Sequence, residues 1–403
     1  MIAPAPAGFD PYRRDFLADP WAAYGQLREA GPVLWHERLK LWLVSGHPEA
    51  VRVLNDDGFR AGSPRAHIER LGVRGGRDFS RLLLILDVLP FFRDPPAHGL
   101  LRRATVAAFA GRPVSAYVPE IRALVDRLLE PARRDGGIDA VLGFADLLPP
   151  LFIARLLGVP EADLPELRGC TAILKGLNRL LSLREYEELE RSAQTGRRYF
   201  AALVAARRRA PAEDGISRML AAEHLGARLT DDEAASLCVA FYLVGVETTC
   251  SFIGSAIRTL TDAPARLDEL RAQPGLLKAA IEELLRFESP VQNVVRVAGA
   301  ARELGGQAID EGSRVVLLLA AANRDARVWP SPGQLDFRRG ASTHLAFADG
   351  PHHCVGAALA RVEAQVALEA WLGLPACRRA PSEDRWWDLD WLRRLQSFPV
   401  HFQ

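Results

Sequence analysis

The stretch Phe347-Ala348-Asp349-Gly350-Pro351-His352-His353-Cys354-Val355-Gly356 crowds two histidines, a proline and two glycines around one cysteine. Glycine and proline at these spacings give a tight loop whose main chain can approach a partner closely. An apolar helix pattern over 356–372 begins directly behind it. The free N–H groups and positive dipole end of a helix start favour a thiolate at Cys354. A thiolate held in this way is a nucleophile or a soft metal ligand. The nucleophile would need a histidine base, and His352 is near enough in sequence to serve. A structural zinc wants four ligands at short recurring spacings, and no second Cys/His pair lies nearby. A small buried thiol without chemistry is the third reading.

A second unusual group sits inside an apolar run. Leu229-Thr230-Asp231-Asp232-Glu233 is a helix start in which Thr230 and Glu233 form a capping box. No breaker follows until Pro264, so the spacing predicts one helix of about 32 residues, ~48 Å long. Its middle, 237–257, is apolar on every side and belongs in a core. There lies Val244-Gly245-Val246-Glu247-Thr248-Thr249. A buried carboxylate without a partner is costly, and glycine inside a helix costs about 1 kcal/mol relative to alanine. Two such choices in one turn point to function; a Thr248 hydroxyl bonded back to its own helix is the plainer alternative. Two more pairs share a helix face. His98 and Arg102, four apart behind Asp94-Pro95-Pro96, have the spacing to grip one carboxylate or to form a solvated face. Glu283 and Arg286 form an (i, i+3) ion pair.

Phe347, Gly350, His352, Cys354 and Gly356 together resemble the haem-binding loop of the cytochrome P450 family, with Ala348 where that family usually has glycine. The resemblance implies that Cys354 is the axial thiolate of haem b, the ligand type that favours O–O cleavage. It continues in order through roughly residues 19–402. Glu247 and Thr248 match the family's acid–alcohol pair, which distorts the helix and relays protons. Val244 replaces a small residue and is implied to narrow the space above the iron. His98 and Arg102 match the segment that holds a haem propionate, Arg296 resembles a second propionate arginine, and His344 is a third candidate. Glu283 and Arg286 match the buried pair that braces the cysteine loop. Its usual third partner is an arginine where this chain has Gln334, with Arg338 and Arg339 as substitutes. By position, Val244, Val291, Val294, Val295 and Ser397 or Phe398 line the substrate pocket. Residues 164–184, among them Leu174, Lys175, Leu177, Asn178, Arg179, Leu180, Leu181 and Arg184, form its lid.

These elements imply a mainly α fold with a small β-rich subregion: one cytochrome P450 domain over 19–403 after an N-terminal extension at 1–18. Short helices are expected near 20–30 and 47–55, a hairpin at 33–35 and 41–45, and strands within 298–316 turning at Gly305-Gly306 and Glu311-Gly312. Residues 58–95 read as less regular. The composition is ordinary for a globular chain of 403 residues, and a net charge of +1 argues against a general polyanion-binding surface, hence against nucleic acid. Five cysteines at scattered positions make no disulfide framework. No basic segment followed by an apolar run opens the chain, and no uninterrupted apolar stretch reaches membrane-span length. A cytoplasmic monomer free of membrane is expected. The implied reaction is monooxygenation of a hydrophobic small molecule, by hydroxylation or epoxidation, in natural-product biosynthesis. The alternatives are haem-thiolate chemistry without oxygen insertion (oxidative coupling or peroxide-driven) and oxidation of a carrier-tethered acyl or aminoacyl substrate. With no flavin or Fe–S motif in the chain, electrons are expected from a ferredoxin and its reductase. Arg102, Arg103, Arg112 and Arg361 are the candidate dock.

Overall fold

A computed structural model describes all residues except 1, 7, 12, 177–180, 341–342 and 403, so the lid positions Leu177, Asn178, Arg179 and Leu180 lie outside the described residues, as does the side chain of Lys175. The fold is mainly helical with ten short strands: β1 Val33–His36, β2 Leu41–Val44, β3 Phe59–Ala61, β4 Gly137–Asp139, β5 Val294–Ala298, β6 Arg302–Leu304, β7 Gln307–Ile309, β8 Arg314–Leu317, β9 Cys377–Arg379 and β10 Pro399–Phe402. They make sheets ordered β1-β2-β8-β5-β3, β4-β10-β9 and β6-β7. In the largest, β1 and β2 form the expected hairpin, β2 runs parallel to β8, and β5 is antiparallel to β8.

The chain packs as two compact units assembled from interleaved segments. The first holds Met1–Arg60, Ile121–Leu148 and Thr248–Gln403. Its sheet core joins Val33, Trp42 and Val44 to Val315 and Leu317. The N-terminal segment belongs to this packing: Ala5 N donates to Trp35 O at 2.8 Å, and Trp35 N donates to Ala3 O at 2.8 Å.

The second unit holds Ala61–Glu120 and Pro149–Glu247. Here the stretch expected to be less regular is mostly helical, with helices Arg65–Gly75 and Ser80–Asp87 and a short turn at Pro90–Phe92. A glycine of this stretch is a helix cap. Gly76 closes the first helix at φ 61°, where glycine carries no Cβ penalty, and Asp78 accepts a hydrogen bond from Ser80 N at 2.9 Å in the turn before the next.

The long helix forms over Asp231–Asp262 as predicted. Glu233 N donates to Thr230 Oγ1 at 3.2 Å and Thr230 N donates to Glu233 Oε2 at 2.8 Å, which completes the capping box. The helix is long and apolar enough to cross a membrane, but 83% of its most apolar window is buried in the protein, as in a core helix. It is α-helical without interruption through 244–249, so the distortion expected there does not break it. Gly245 instead permits close packing: a Cβ would stand 3.1 Å from Ile153 Cδ1.

Candidate active site

Two backbone contacts fix the cysteine loop. Cys354 N donates to Phe347 O at 3.0 Å, and the loop rests on helix His47–Asn55. Gly350 is required there. It has φ 67°, and a Cβ would lie 2.5 Å from Leu54 O. Asn55 Nδ2 donates to Asp349 Oδ2 at 3.0 Å and to Val51 O at 3.0 Å, tying the loop to the same helix. Behind the loop runs helix Ala357–Leu372, with Cys354 O accepting from Ala357 N at 3.4 Å. Ala348 occupies the left-handed region at φ 55°, where a Cβ costs roughly 1–2 kcal/mol. Ala348→Gly is therefore expected to stabilise the protein by about 0.5 kcal/mol, read as a raised denaturant midpoint. A lowered midpoint would mean that the Ala348 methyl, which packs on the sheet core, outweighs the strain.

A residue that sequence reasoning missed organises the flank of this loop. Glu282 accepts from Arg361 Nε and Nη2 at 2.7 and 2.8 Å, and Arg361 stacks 4.5 Å above the Phe347 ring. His344 Nδ1 accepts from Ala346 N at 3.3 Å, so Nε2 carries the proton and donates to Glu282 Oε2 at 3.2 Å. Burial opposes the Glu282 charge, but the bonds from Arg361 and His344 outweigh it and hold its pKa down to about 2. Both His344 nitrogens are thus engaged, and a propionate could reach this ring only by displacing Glu282. Glu282 was obscured in the sequence by its neighbour Glu283, whose family match drew the attention.

The expected Glu283–Arg286 pair forms and gathers further partners. Arg286, fully buried, donates to Glu283 from Nε at 2.7 Å and from Nη2 at 2.8 Å, and from Nη1 to the carbonyls of Asn323 and Pro332 at 2.9 Å each. Of the two substitutes for the missing arginine, the structure selects Arg339, whose Nε lies 3.1 Å from Glu283 Oε1. Arg338 turns instead to Glu269 and Gln273. Gln334 still takes part through its carbonyl, which accepts from Arg339 Nη2 at 2.9 Å.

The other residues singled out in the sequence fall as follows. On β5, Arg296 is buried, and its Nη1 donates to Val295 O at 3.0 Å. Strand alternation puts Val294 and Arg296 on one face and Val295 on the other, so the three valines do not line a single wall. Val291 and Val294 pack against the sheet core. Phe398 is only 1% exposed, with the Arg379 guanidinium 5.4 Å from its ring. Gly356 has an ordinary φ of −87°, and a Cβ there would lie 3.9 Å from Cys354 Sγ. In the second unit, Glu247 is buried, and His98 and Arg102 share a face of helix Ala97–Phe109. Burial, then the Arg102 cation, pushes His98 below the ordinary histidine value, so its ring is neutral at pH 7. Arg112 is paired with Glu120 at 2.6 Å, and Arg361 with Glu282, so two of the four dock arginines have their charge answered inside the protein.

Glu363, on the helix behind Cys354, is fully buried, and its Oε1 has no hydrogen-bond partner among the described residues. Burial alone raises its carboxyl well above the usual range, so it is protonated in the folded protein and ionised in the unfolded chain at pH 7. The raised folded value makes its contribution most favourable in acid and progressively unfavourable above the unfolded pKa. Glu363→Gln is expected to raise stability at pH 7, with the gain shrinking toward pH 4.5; unfolding curves at both pH values check this.

The donor set narrows the class of site. Among the described residues no cluster of three or more His, Cys, Asp or Glu exists that would hold a zinc or similar ion. There is one soft sulfur at a helix mouth, and a buried arginine on β5 of the same unit. That set fits a metal brought in a macrocycle with carboxylate tails and ligated by one thiolate, a haem-thiolate site. The comparisons agree. The family model "Cytochrome P450" matches residues 269–373. The chain is 33% identical over 393 residues to the biotin biosynthesis cytochrome P450 of Bacillus subtilis, covering 96% of this chain and 98% of that one. It is 31% identical to the monooxygenase PikC of Streptomyces venezuelae, covering 97% and 92%. The crystal structure of P450BioI in complex with hexadec-9Z-enoic acid ligated acyl carrier protein superposes with a TM-score of 0.89 at 32% identity, over 96% of this chain and all of that one. The chain belongs to the cytochrome P450 family; it is a haem-thiolate oxidoreductase of the monooxygenase type, and its cofactor is haem b.

Proposed function

We propose that the enzyme oxidises an acyl chain delivered on a carrier protein, within natural-product or cofactor biosynthesis. The observation that carries this reading is the likeness, over nearly the whole of both chains, to a structure holding an acyl-loaded carrier. A free hydrophobic small molecule is the second reading, favoured by the likeness to PikC, whose name gives no carrier.

Haem b, when bound, supplies reductive activation of O2 and insertion of one oxygen atom into a C–H or C=C bond. Cys354 holds it through Sγ, with Phe347 and Gly356 shaping the loop on either side. Arg296 and Arg102 would neutralise the propionates, with His98 donating a hydrogen bond from its neutral ring, and His344 joins them only by giving up Glu282. Glu247 and Thr248 hold and pass protons. Val244, Val291, Val294, Val295 and Phe398 are proposed to exclude water around the acyl chain. Electrons come from a ferredoxin and its reductase, for which Arg103 is the proposed dock, in a cytoplasmic monomer.

The test is an optical titration of the ferric protein with hexadecanoyl acyl carrier protein and, separately, with free hexadecanoic acid. The carrier-bound chain is expected to bind at least tenfold more tightly and to be oxidised. Equal or tighter binding of the free acid transfers the conclusion to the second reading.

A further inference from the structure

From Thr248 a polar line runs down the far half of the long helix through residues that the proposed site does not use. Thr248, Ser251, Ser255, Thr259 and Asp262 follow one another at intervals of three, four, four and three residues. At 100° per residue they fall within an arc of about 80°, and each is a surface neighbour of the next. The line covers about 21 Å of helix. Ser251, Ser255 and Thr259 are 2%, 1% and 7% exposed, so this is a buried row of hydroxyls in a core helix.

Their hydrogen bonding is unusual. Thr261, on the same helix, donates to Ile257 O at 2.8 Å, which is how a helical hydroxyl ordinarily satisfies itself. Ser255 Oγ and Thr259 Oγ1 make no such bond and have no partner among the described residues. Ser251 Oγ donates to Arg393 O, on the segment facing the helix. Leaving a buried hydroxyl unpaired costs about 1–3 kcal/mol, and buried water is the usual remedy. Two such hydroxyls lie one helical turn apart, where Cβ atoms are roughly 5–6 Å from each other.

The line ends in a cluster of charges. Asp262 is one-third exposed and faces Arg258 at 3.5 Å and Arg379 at 3.7 Å. Arg258 also meets Asp384 at 2.7 Å and buried Glu288 at 3.7 Å, and Arg379 pairs with Asp384. Asp262 is the carboxylate of this group on the helix line itself, and burial raises its carboxyl above the ordinary value, toward easy exchange of protons with solvent.

We infer that Ser255 and Thr259 hold a file of water that carries protons from Asp262 past Ser251 to Thr248. Each turnover consumes one substrate, O2, two electrons from the ferredoxin and two protons, and yields oxidised substrate and water. A proton entering at Asp262 protonates the first water, and the waters and the Ser255 and Thr259 hydroxyls each accept on one lone pair as they release their own proton onward. Ser251, whose proton goes to Arg393 O, only accepts from the file, and the last proton is released at the Thr248 hydroxyl. The inference rests on the proposed proton-passing role of Thr248.

The experiment compares the haem-loaded wild type with Thr248→Ala, Ser255→Ala, Thr259→Val and the Ser255→Ala/Thr259→Val double variant. Each is followed by the ratio of peroxide released to product formed, the solvent deuterium isotope effect on product formation, thermal stability, and a high-resolution crystal structure. The wild-type crystal is expected to show ordered water within hydrogen-bond distance of Ser255 Oγ and Thr259 Oγ1. The double variant is expected to lose that water, to release at least threefold more peroxide per product and to change the isotope effect, with stability unchanged or raised. A merely structural role would lower stability and leave the isotope effect alone. A dry hydroxyl row in the wild type overturns the inference. So does unchanged coupling in a folded double variant, or in Ser255→Ala alone if the double variant does not fold. If Thr248→Ala leaves coupling intact, it is the underlying role of Thr248 that fails.

Discussion

Cys354→Ser is expected to cut product formation by at least a thousandfold while leaving a folded chain. The loop does not depend on the sulfur for its shape: its bonds run from the Cys354 N–H to Phe347 O and through Gly350 and Asp349 to helix His47–Asn55. What changes is the donor, from a soft, polarisable thiolate to a hard alcohol that stays protonated at neutral pH. The other thiols cannot take over. Cys170, Cys238 and Cys250 are buried, and burial pushes their thiols up, that of Cys170 to about 11, so none supplies a thiolate. Cys377 lies on β9, against the Thr261 hydroxyl at 3.8 Å. The measurement is the absorption of the reduced carbonyl adduct, whose red-shifted Soret band reports a thiolate trans to the carbonyl. Persistence of that band in Cys354→Ser would place the ligand on another cysteine.

The second large effect concerns the brace. Arg286→Ala leaves the Glu283 carboxylate buried with only Arg339 and the Asp336 N–H, at 3.0 Å, as partners and strips donors from the carbonyls of Asn323 and Pro332. Breaking a buried pair from one side costs about 3–5 kcal/mol, enough to remove most of the stability of an ordinary domain. Arg339→Ala is expected to cost about 1–3 kcal/mol, since Arg286 remains to pair Glu283. Arg338→Ala, at a half-exposed surface position, should fall within about 0.5 kcal/mol of wild type. Denaturant unfolding of the haem-loaded variants gives the order directly. An Arg338→Ala loss equal to that of Arg339→Ala would disprove the assignment of the third partner.

Element type was legible wherever one local signal dominated. The capping box at Thr230 and Glu233, the thirty-odd residues without a breaker behind it, and the Gly-rich loop around Cys354 each state their structure in a few adjacent residues. Legibility failed where a residue's role depends on a neighbour far away in sequence. Nothing local distinguishes Arg339 from Arg338; the choice is made by carbonyls at 330–334 and a carboxylate about fifty positions upstream. Nothing local marks Glu282, whose partners Arg361 and His344 reach it only on folding. The glycines of 58–95 suggest irregularity because a cap and a coil use the same residue, and only the flanking helices show that Gly76 is a cap. The valines of β5 were grouped by sequence proximity, although a strand sends alternate side chains to opposite faces.

The register of β2 against β8 bears on how the enzyme comes into being. Trp42 pairs with Val315, roughly 270 positions further on. At the pace of synthesis, the first hairpin therefore waits on the order of 15–50 s with one edge unpaired. Helix His47–Asn55 waits longer still for Gly350 and Asp349, which complete the seat of the thiolate. A binding-competent loop for haem is thus completed late in synthesis, and the nascent chain carries an open β edge until β8 has emerged. Chaperone supply and slow expression, more than haem supply alone, should set the yield of loaded enzyme.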